Sequence, residues 1–210
     1  MGILNSFKKI FPILLLMGIV FSACDNDDDD KILELDKVTV ADYDHEVASA
    51  WNNVFLELER YAAGYRPGPA PRALAYIGLA SYEACVTGME DHKSVASLYP
   101  GLKLPVADAS AEYHWPTVVN TLRANLMRRF FRSAAPALYE KINTLENSLG
   151  SKYRTQSTED VIKRSVAHGQ AVADAMWEWS ATDAVGHDAY LDPFKGYNWA
   201  DYQNKAGHWR

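Results

Sequence analysis

The chain has 210 residues, of which 48% are hydrophobic and 12% aromatic. That length suffices for one sizeable hydrophobic core and is short for two. The formal charge at pH 7 is −6, and the sequence contains no basic stripe. An acidic chain without such a stripe argues against nucleic acid as a partner.

The first residues are organised like a secretory signal peptide. Lys8 and Lys9 give a positively charged start, and residues 10–21 form an apolar run. As a helix, a run of that length rises about 18 Å, whereas the hydrocarbon core of a bilayer is roughly 30 Å thick. We therefore predict that residues 1–23 are a cleaved signal peptide and not a transmembrane helix.

A lipid attachment site follows the apolar run. The sequence Phe21-Ser22-Ala23-Cys24 resembles a bacterial lipobox, whose cysteine becomes the lipidated first residue of the mature protein. Phe21 departs from the Leu, Val or Ile that is usual at its position. We predict that lipid on Cys24 tethers the protein to the outer membrane, on its periplasmic or cell-surface face.

An acidic run comes directly after Cys24, at residues 25–30. It resembles the export signal of surface lipoproteins in Bacteroidetes-type bacteria, and it also fits a solvated tether, so the two interpretations are compatible. We predict an acidic tether over residues 24–42 and one helical domain over residues 43–210. Lipidation of Cys24 leaves Cys85 without a disulfide partner, and its apolar surroundings favour a buried hydrophobe over a nucleophile.

Hydrophobic periodicity predicts five helices in this domain. They are expected at about 43–63, 72–86, 116–131, 134–149 and from a capping box at 157–160 to about 180. Small residues on several faces of the second helix predict that it is central and mostly buried. No segment shows sustained period-two alternation, so the predicted fold class is all-α, a helical bundle.

The predicted helices place particular residues in the core or at the ends of helices. Trp51 and Ile77 are expected to be buried where the first two helices pack together. Ser133 is expected to cap the fourth helix, and Gly150 to end it. The residues of the fifth helix that we expect to face inward are Ile162, Val166, Gly169, Ala173, Met176 and Trp177.

The last residues, 183–210, are rich in aromatic and turn-forming residues. So many aromatic side chains need a surface on which to pack. No helix or polar terminus completes the chain at Gly207-His208-Trp209-Arg210, and we therefore expect that this sequence is the front part of a longer one.

Three stretches together resemble a known family. The first is Arg72-Ala73-Leu74-Ala75-Tyr76-Ile77-Gly78-Leu79-Ala80-Ser81-Tyr82-Glu83-Ala84, which follows a proline-rich turn and a Trp-bearing helix. The second is Gly169-Gln170-Ala171-Val172-Ala173, followed by Trp177, Trp179 and Thr182-Asp183. The third is Tyr202 followed by Gly207-His208-Trp209. Over about residues 47–210 they resemble the N-terminal helical region of vanadium-dependent haloperoxidases, which belong to the PAP2 acid phosphatase superfamily.

The resemblance implies a larger all-helical enzyme that oxidises halide with peroxide or hydrolyses phosphomonoesters. The family builds its oxyanion pocket from a Lys, an Arg-Pro pair, Pro-Ser-Gly-His, then Ser-Arg and a later His. This chain contains no Pro-Ser-Gly-His, and Arg66-Pro67 precedes the landmark segments, which indicates a turn. No catalytic, cofactor-binding or metal residue is therefore assigned. Vanadate is implied only for the full-length family member, whose C-terminal half would be a partner of this chain, and a homodimer stays open.

Other candidate sites are weaker. None of the six histidines has the spacing of a zinc site, and His168 is interpreted as a helix-packing residue. The cluster Asp183, His187, Asp188 and Asp192 could ligate a cation, although its spacing is not that of an EF-hand. The candidates for anion binding are Arg123, Arg128, Arg129 and Arg132. The favoured interpretation of these arginines is a solvated face paired with carboxylates such as that of Glu140.

The sequence leaves two classes of function open. The first is the helical front of a haloperoxidase or acid phosphatase, inactive by itself because the oxyanion-binding motifs are missing from it. The second is a non-catalytic surface lipoprotein whose helical domain acts as an interaction module. An in-frame Pro-Ser-Gly-His encoded beyond Arg210 would favour the first class.

Overall fold

The computed structural model describes residues 38–192 and 199–202 of the chain, and for Trp199 and Tyr202 the backbone only. Several predictions lie outside the described residues. These are the signal peptide, Cys24 and its lipid, most of the acidic tether, and the Gly207-His208-Trp209 segment.

Five α-helices make up most of the described part of the chain. They are α1 (Glu46–Tyr61), α2 (Pro69–Cys85), α3 (Trp115–Phe130), α4 (Pro136–Tyr153) and α5 (Glu159–Ala181). Short 3-10 turns lie at Val40–Asp42, Val86–Gly88, Ala96–Leu98 and Trp199–Tyr202. No strand occurs among the described residues, which confirms the all-α class. None of the helices in this part of the chain combines the length and the apolar character needed to cross a membrane.

The central helix is α3, and the prediction that the second helix is central was wrong. Helix α3 packs against α1, α2, α4 and α5. It has buried residues on every side, and Val118, Ala124 and Met127, which point in different directions around the helix, have no exposed surface. In α2 the buried residues form a single stripe, and Leu74 is 46% exposed. Alanine and glycine are compatible with either environment, so the small residues of α2 did not determine how much of it is buried.

Trp51 and Ile77 are buried as predicted, with 0% and 1% of their surfaces exposed. However, α1 packs against α3 and α4 to the same extent, α2 packs mainly against α3, and α1 and α2 make little contact with each other. Trp51 also makes a polar contact in the core, since its indole Nε1 donates a hydrogen bond to Asn120 Oδ1 on α3 at 2.9 Å. The first two helices are therefore joined through the third.

The start and end of α4 differ from the prediction. Ala135 precedes the helix, whereas the Ser133 hydroxyl donates to the carbonyl of Ala63 at 2.9 Å. The helix continues through Gly150 to Tyr153 because Leu149 and Tyr153 are both buried against the core, and this packing outweighs the cost of a glycine of about 1 kcal/mol.

Helix α5 begins within the predicted capping box at 157–160, but its capping residue is Thr158 and not Ser157. The Thr158 hydroxyl accepts a hydrogen bond from the backbone N–H of Val161 at 3.4 Å, as a helix-capping residue does. Gly169 lies at the closest approach to α3, where an added Cβ would be 2.5 Å from the carbonyl oxygen of Val118. Val166 is 42% exposed, so its predicted inward position was wrong. This exposed residue borders the groove described below.

Candidate functional site

The arginines near the end of α3 do not converge on one point. Arg128 pairs with Glu146 on α4, Arg129 with Asp174 on α5, and Arg132 with Asp188 in the segment after α5. The favoured interpretation, paired surface charges, is confirmed for these three, although the partner on α4 is Glu146 and not Glu140. Each positive charge is matched by its own carboxylate and directed to a different element. A shared oxyanion site therefore does not form from them.

Arg123 differs from the other three because it is buried, with 9% of its surface exposed. Its guanidinium donates to Asn52 Oδ1 at 2.8 Å, to Ser81 Oγ at 3.1 Å and to the carbonyl of Ala48 at 3.3 Å. These partners are neutral, and burial lowers the pKa of the Arg123 guanidinium from its ordinary value. The side chain joins α1, α2 and α3 and acts as a structural link.

His168 is a helix-packing residue, as predicted. It is 8% exposed, and its Nε2 donates to the carbonyl of Ala84 on α2 at 3.0 Å. His114, which the sequence analysis did not single out, is also buried and accepts a hydrogen bond from the backbone of Thr117 at the start of α3. Burial lowers the pKa of both imidazoles below 6.5.

These two histidines predict that the protein loses stability in mild acid. A pKa that is lower in the folded than in the unfolded chain means that the unfolded chain binds protons more readily. The contribution is fully present above the unfolded pKa of about 6.5 and is lost as the pH falls through the folded pKa. We expect urea denaturation to show a falling free energy of unfolding from pH 7 to pH 5, with a shallower slope in His168→Gln. A wild-type slope in that variant would contradict this, and exposed His92→Gln is the matched control.

In the cluster after α5, Asp183 and Asp188 form ion pairs with arginines. Asp183 Oδ2 accepts from Arg72 Nε at 2.8 Å, and its Oδ1 accepts from the backbone N–H of Gly186 at 2.9 Å. The hydrogen bond from Arg72 holds the pKa of the Asp183 carboxyl below its ordinary value. In residues 38–192 and 199–202, no group of three or more His, Cys, Asp or Glu side chains is placed to hold a metal ion. The cation-binding interpretation of this cluster is not supported.

Cys85 is a buried hydrophobe, as predicted. Only 3% of its surface is exposed, and burial raises the pKa of its thiol to about 12. The thiolate that a nucleophile needs is therefore not formed near neutral pH.

Two surface depressions stand out in the described part of the chain. The first, here called the polar groove, has a volume of about 320 Å³ and lies between α3, α4 and α5. Its walls carry mostly neutral polar groups, from Thr117, Asn120, Thr121, Asn125, Asn147 and Gln170. It continues into a wider depression of about 620 Å³ bordered by Ile162, Val166 and Ala167.

The second depression, here called the aromatic pocket, has a volume of about 300 Å³. Its walls are formed by α2, the end of α5 and the loop at Tyr99, through Arg72, Tyr76, Leu79, Tyr99, Trp179 and Asp183. The ring centroid of Trp179 lies 5.3 Å from that of Tyr76 and 5.8 Å from that of Tyr99. Arg72 and Asp183 are 111 positions apart in sequence, so no local pattern could have predicted their contact.

Comparison with known proteins adds no relative to this picture. The chain matches no family model, no curated protein and no solved structure.

Proposed function

We propose that residues 43–210 are the N-terminal helical region of a lipoprotein of the vanadium-dependent haloperoxidase and PAP2 acid phosphatase type. One observation carries the proposal beyond the resemblance itself. Arg72 opens the first resembling stretch, and it donates to Asp183 and to the carbonyl of Ser180, at the end of the second, at 2.8 and 2.6 Å. Motifs that belong to one family signature are expected to meet in the fold, and these two do.

The small residues of the two stretches support the same proposal. Ala73, Ala80 and Ala84 form the buried stripe of α2, and Gly169 lets α5 approach α3 closely. The alanines are buried in the closely packed interior, and at Gly169 an added Cβ would meet the backbone of α3. The resembling residues thus define how the helices are assembled rather than a catalytic group.

We assign halide oxidation or phosphomonoester hydrolysis to residues outside these two stretches. Vanadate and phosphate esters require several cationic and backbone donors directed at one oxyanion, with a histidine placed for apical bonding or attack. The described residues do not fit vanadate, because Arg128, Arg129 and Arg132 pair with separate carboxylates. Arg123 is buried among neutral partners, and His168 donates to a backbone carbonyl. The resemblance places the oxyanion-binding motifs in sequence that follows this chain.

The test is to read the gene beyond the codon of Arg210 and assay its whole product. We expect an in-frame Pro-Ser-Gly-His, and vanadate-dependent halide oxidation or phosphomonoester hydrolysis that disappears when the histidine of that motif is changed to alanine. A gene product that lacks the motif and both activities would exclude the proposal.

The second candidate is a non-catalytic surface lipoprotein that acts as an interaction module. The polar groove favours it, because Asn and Gln side chains that line a surface groove offer both donors and acceptors to a partner. The same gene distinguishes the two candidates, since an interaction module requires no Pro-Ser-Gly-His.

Both candidates share the lipid anchor, and Cys24→Ser tests it. We expect the substitution to abolish lipid attachment because only the thiol can form the thioether to the lipid. The mass of the detergent-extracted protein should fall by that of the lipid, and the protein should leave the membrane fraction. Ser22→Ala, which keeps the thiol, is the matched control. Equal membrane retention of the Cys24→Ser and unchanged proteins would contradict a lipoprotein.

A further inference from the structure

The aromatic pocket is a fixed site rather than a gap between mobile side chains. The indole Nε1 of Trp179 donates to the carbonyl of Pro100 at 3.2 Å, which ties the loop at Tyr99 to the end of α5. On the opposite wall, Arg72 is held by Asp183 and by the carbonyl of Ser180. Three aromatic rings and one ion pair therefore face the same volume of about 300 Å³.

The charges of the pocket disfavour an ionic ligand. The Arg72 guanidinium lies 4.7 Å from the centre of the Tyr76 ring, in the position that a bound organic cation would take. A second cation there would be repelled by Arg72, and an anion at the guanidinium would be repelled by Asp183. Because the ion pair is neutral as a whole, the pocket suits an uncharged ligand.

Besides the hydrogen bonds within the protein, the Arg72–Asp183 pair can offer a ligand one donor beside one acceptor. Within the described residues, Arg72 donates from Nε and Nη2 and its Nη1 has no acceptor. The Asp183 carboxylate accepts from Arg72 and from the backbone of Gly186 and Val185, and a carboxylate, which has about four acceptor positions, can accept a further hydrogen bond. Two neighbouring hydroxyl groups match this pair, since each hydroxyl can both donate and accept.

The aromatic rings on the other walls of the pocket favour a ligand that has an apolar face. Tyr99 and Trp179 meet edge to face, with their planes 74° apart, and their negative ring faces attract the weakly positive hydrogens of C–H groups. Tyr76 borders the pocket, but the Arg72 guanidinium lies over its ring and Phe130 stacks against it. A pyranose ring has neighbouring hydroxyls at its edge and C–H groups on its face. A volume of about 300 Å³ lies at the small end of the range for ligand pockets, which suits one sugar residue.

We propose that the aromatic pocket binds one neutral pyranose residue, with the nearly perpendicular rings of Trp179 and Tyr99 bordering its C–H groups and the Arg72–Asp183 pair bonded to two neighbouring hydroxyls. The residue is either a free glycoside or one unit of a glycan. This proposal does not depend on the function proposed above, and either can fail without the other.

The test is calorimetric titration of the full chain in a polyoxyethylene detergent, which carries no sugar. The probes are the methyl glycosides of glucose, galactose, mannose and xylose, the corresponding linear hexasaccharides, and choline and benzoate as ionic comparisons. We expect at least one methyl glycoside to bind with a Kd of about 1 mM, as suits a ligand of that size. Tighter binding of its hexasaccharide would identify a glycan as the source.

Variants connect the binding to the pocket. Tyr99→Ala and Asp183→Asn should each weaken it at least tenfold. Tyr61→Ala removes a tyrosine that is 66% exposed on α1 and should leave it unchanged. Tyr99 is itself 40% exposed in a loop, so its substitution leaves the core intact, as circular dichroism would verify. No binding of any glycoside or hexasaccharide, equal binding by Tyr99→Ala, or tighter binding of choline or benzoate would overturn the proposal.

Discussion

Replacing Gly169 with alanine is expected to destabilise the protein by about 3 kcal/mol. In an exposed helix the same change would stabilise, by up to about 1 kcal/mol, because alanine has the higher helix propensity. At Gly169 the added methyl would lie 2.5 Å from the backbone oxygen of Val118 and 3.2 Å from Thr121 Cβ. Backbone cannot move aside as a flexible side chain can, so α3 and α5 must separate along their contact.

Gly78→Ala provides the matched control for this prediction. Gly78 lies within α2, is exposed, and has no atom within 4 Å of the position of an added Cβ. We expect this variant to be more stable than the unchanged protein by roughly 0.5–1 kcal/mol. Urea denaturation of the two variants gives both values, and a Gly169→Ala protein as stable as the Gly78→Ala protein would show that α3 and α5 do not approach so closely.

Replacing Trp51 with alanine is expected to cost about 4 kcal/mol of unfolding free energy. The indole has no exposed surface, so its removal leaves a large cavity beside α3. The substitution also removes the donor to Asn120 Oδ1, which is itself buried. A buried acceptor without a partner adds to the loss.

Trp51→Phe separates the two contributions, because the ring remains and only the N–H donor and part of the volume are lost. Its expected cost is about 2 kcal/mol. Tyr61→Ala on the same helix removes an exposed aromatic ring and should change stability by no more than about 0.5 kcal/mol. If Trp51→Ala also remained within that limit, the core described here would be incorrect.

Hydrophobic periodicity was sufficient to predict the five helices, because an apolar stripe is a local property of the sequence. Trp51 and Ile77 were placed in the core on that basis, and both are buried. The identity of the central helix was not predictable in the same way. It depends on which faces meet, and the alanines and glycines of α2 are tolerated both inside and at the surface.

The candidate sites were even less predictable, because they too depend on which faces of the helices meet. The sequence indicated that Arg128 would be paired with a carboxylate such as Glu140, whereas its partner is Glu146 on the same helix, α4. Arg72 near the start of α2 and Asp183 just after α5 are far apart in sequence, and only the assembled bundle brings them together. The aromatic pocket beside that contact was not predicted, since its rings come from α2, a loop and α5.

Paired titrations with orthovanadate test the proposed function most directly. One protein is residues 25–210, without the lipidated cysteine, and the other is the mature product of the complete gene. We expect tight 1:1 binding by the complete product, no binding by residues 25–210 up to millimolar vanadate, and neither halide oxidation nor phosphomonoester hydrolysis by the shorter protein. Micromolar binding by residues 25–210, or turnover that is lost in Arg128→Ala or His168→Gln, would contradict it.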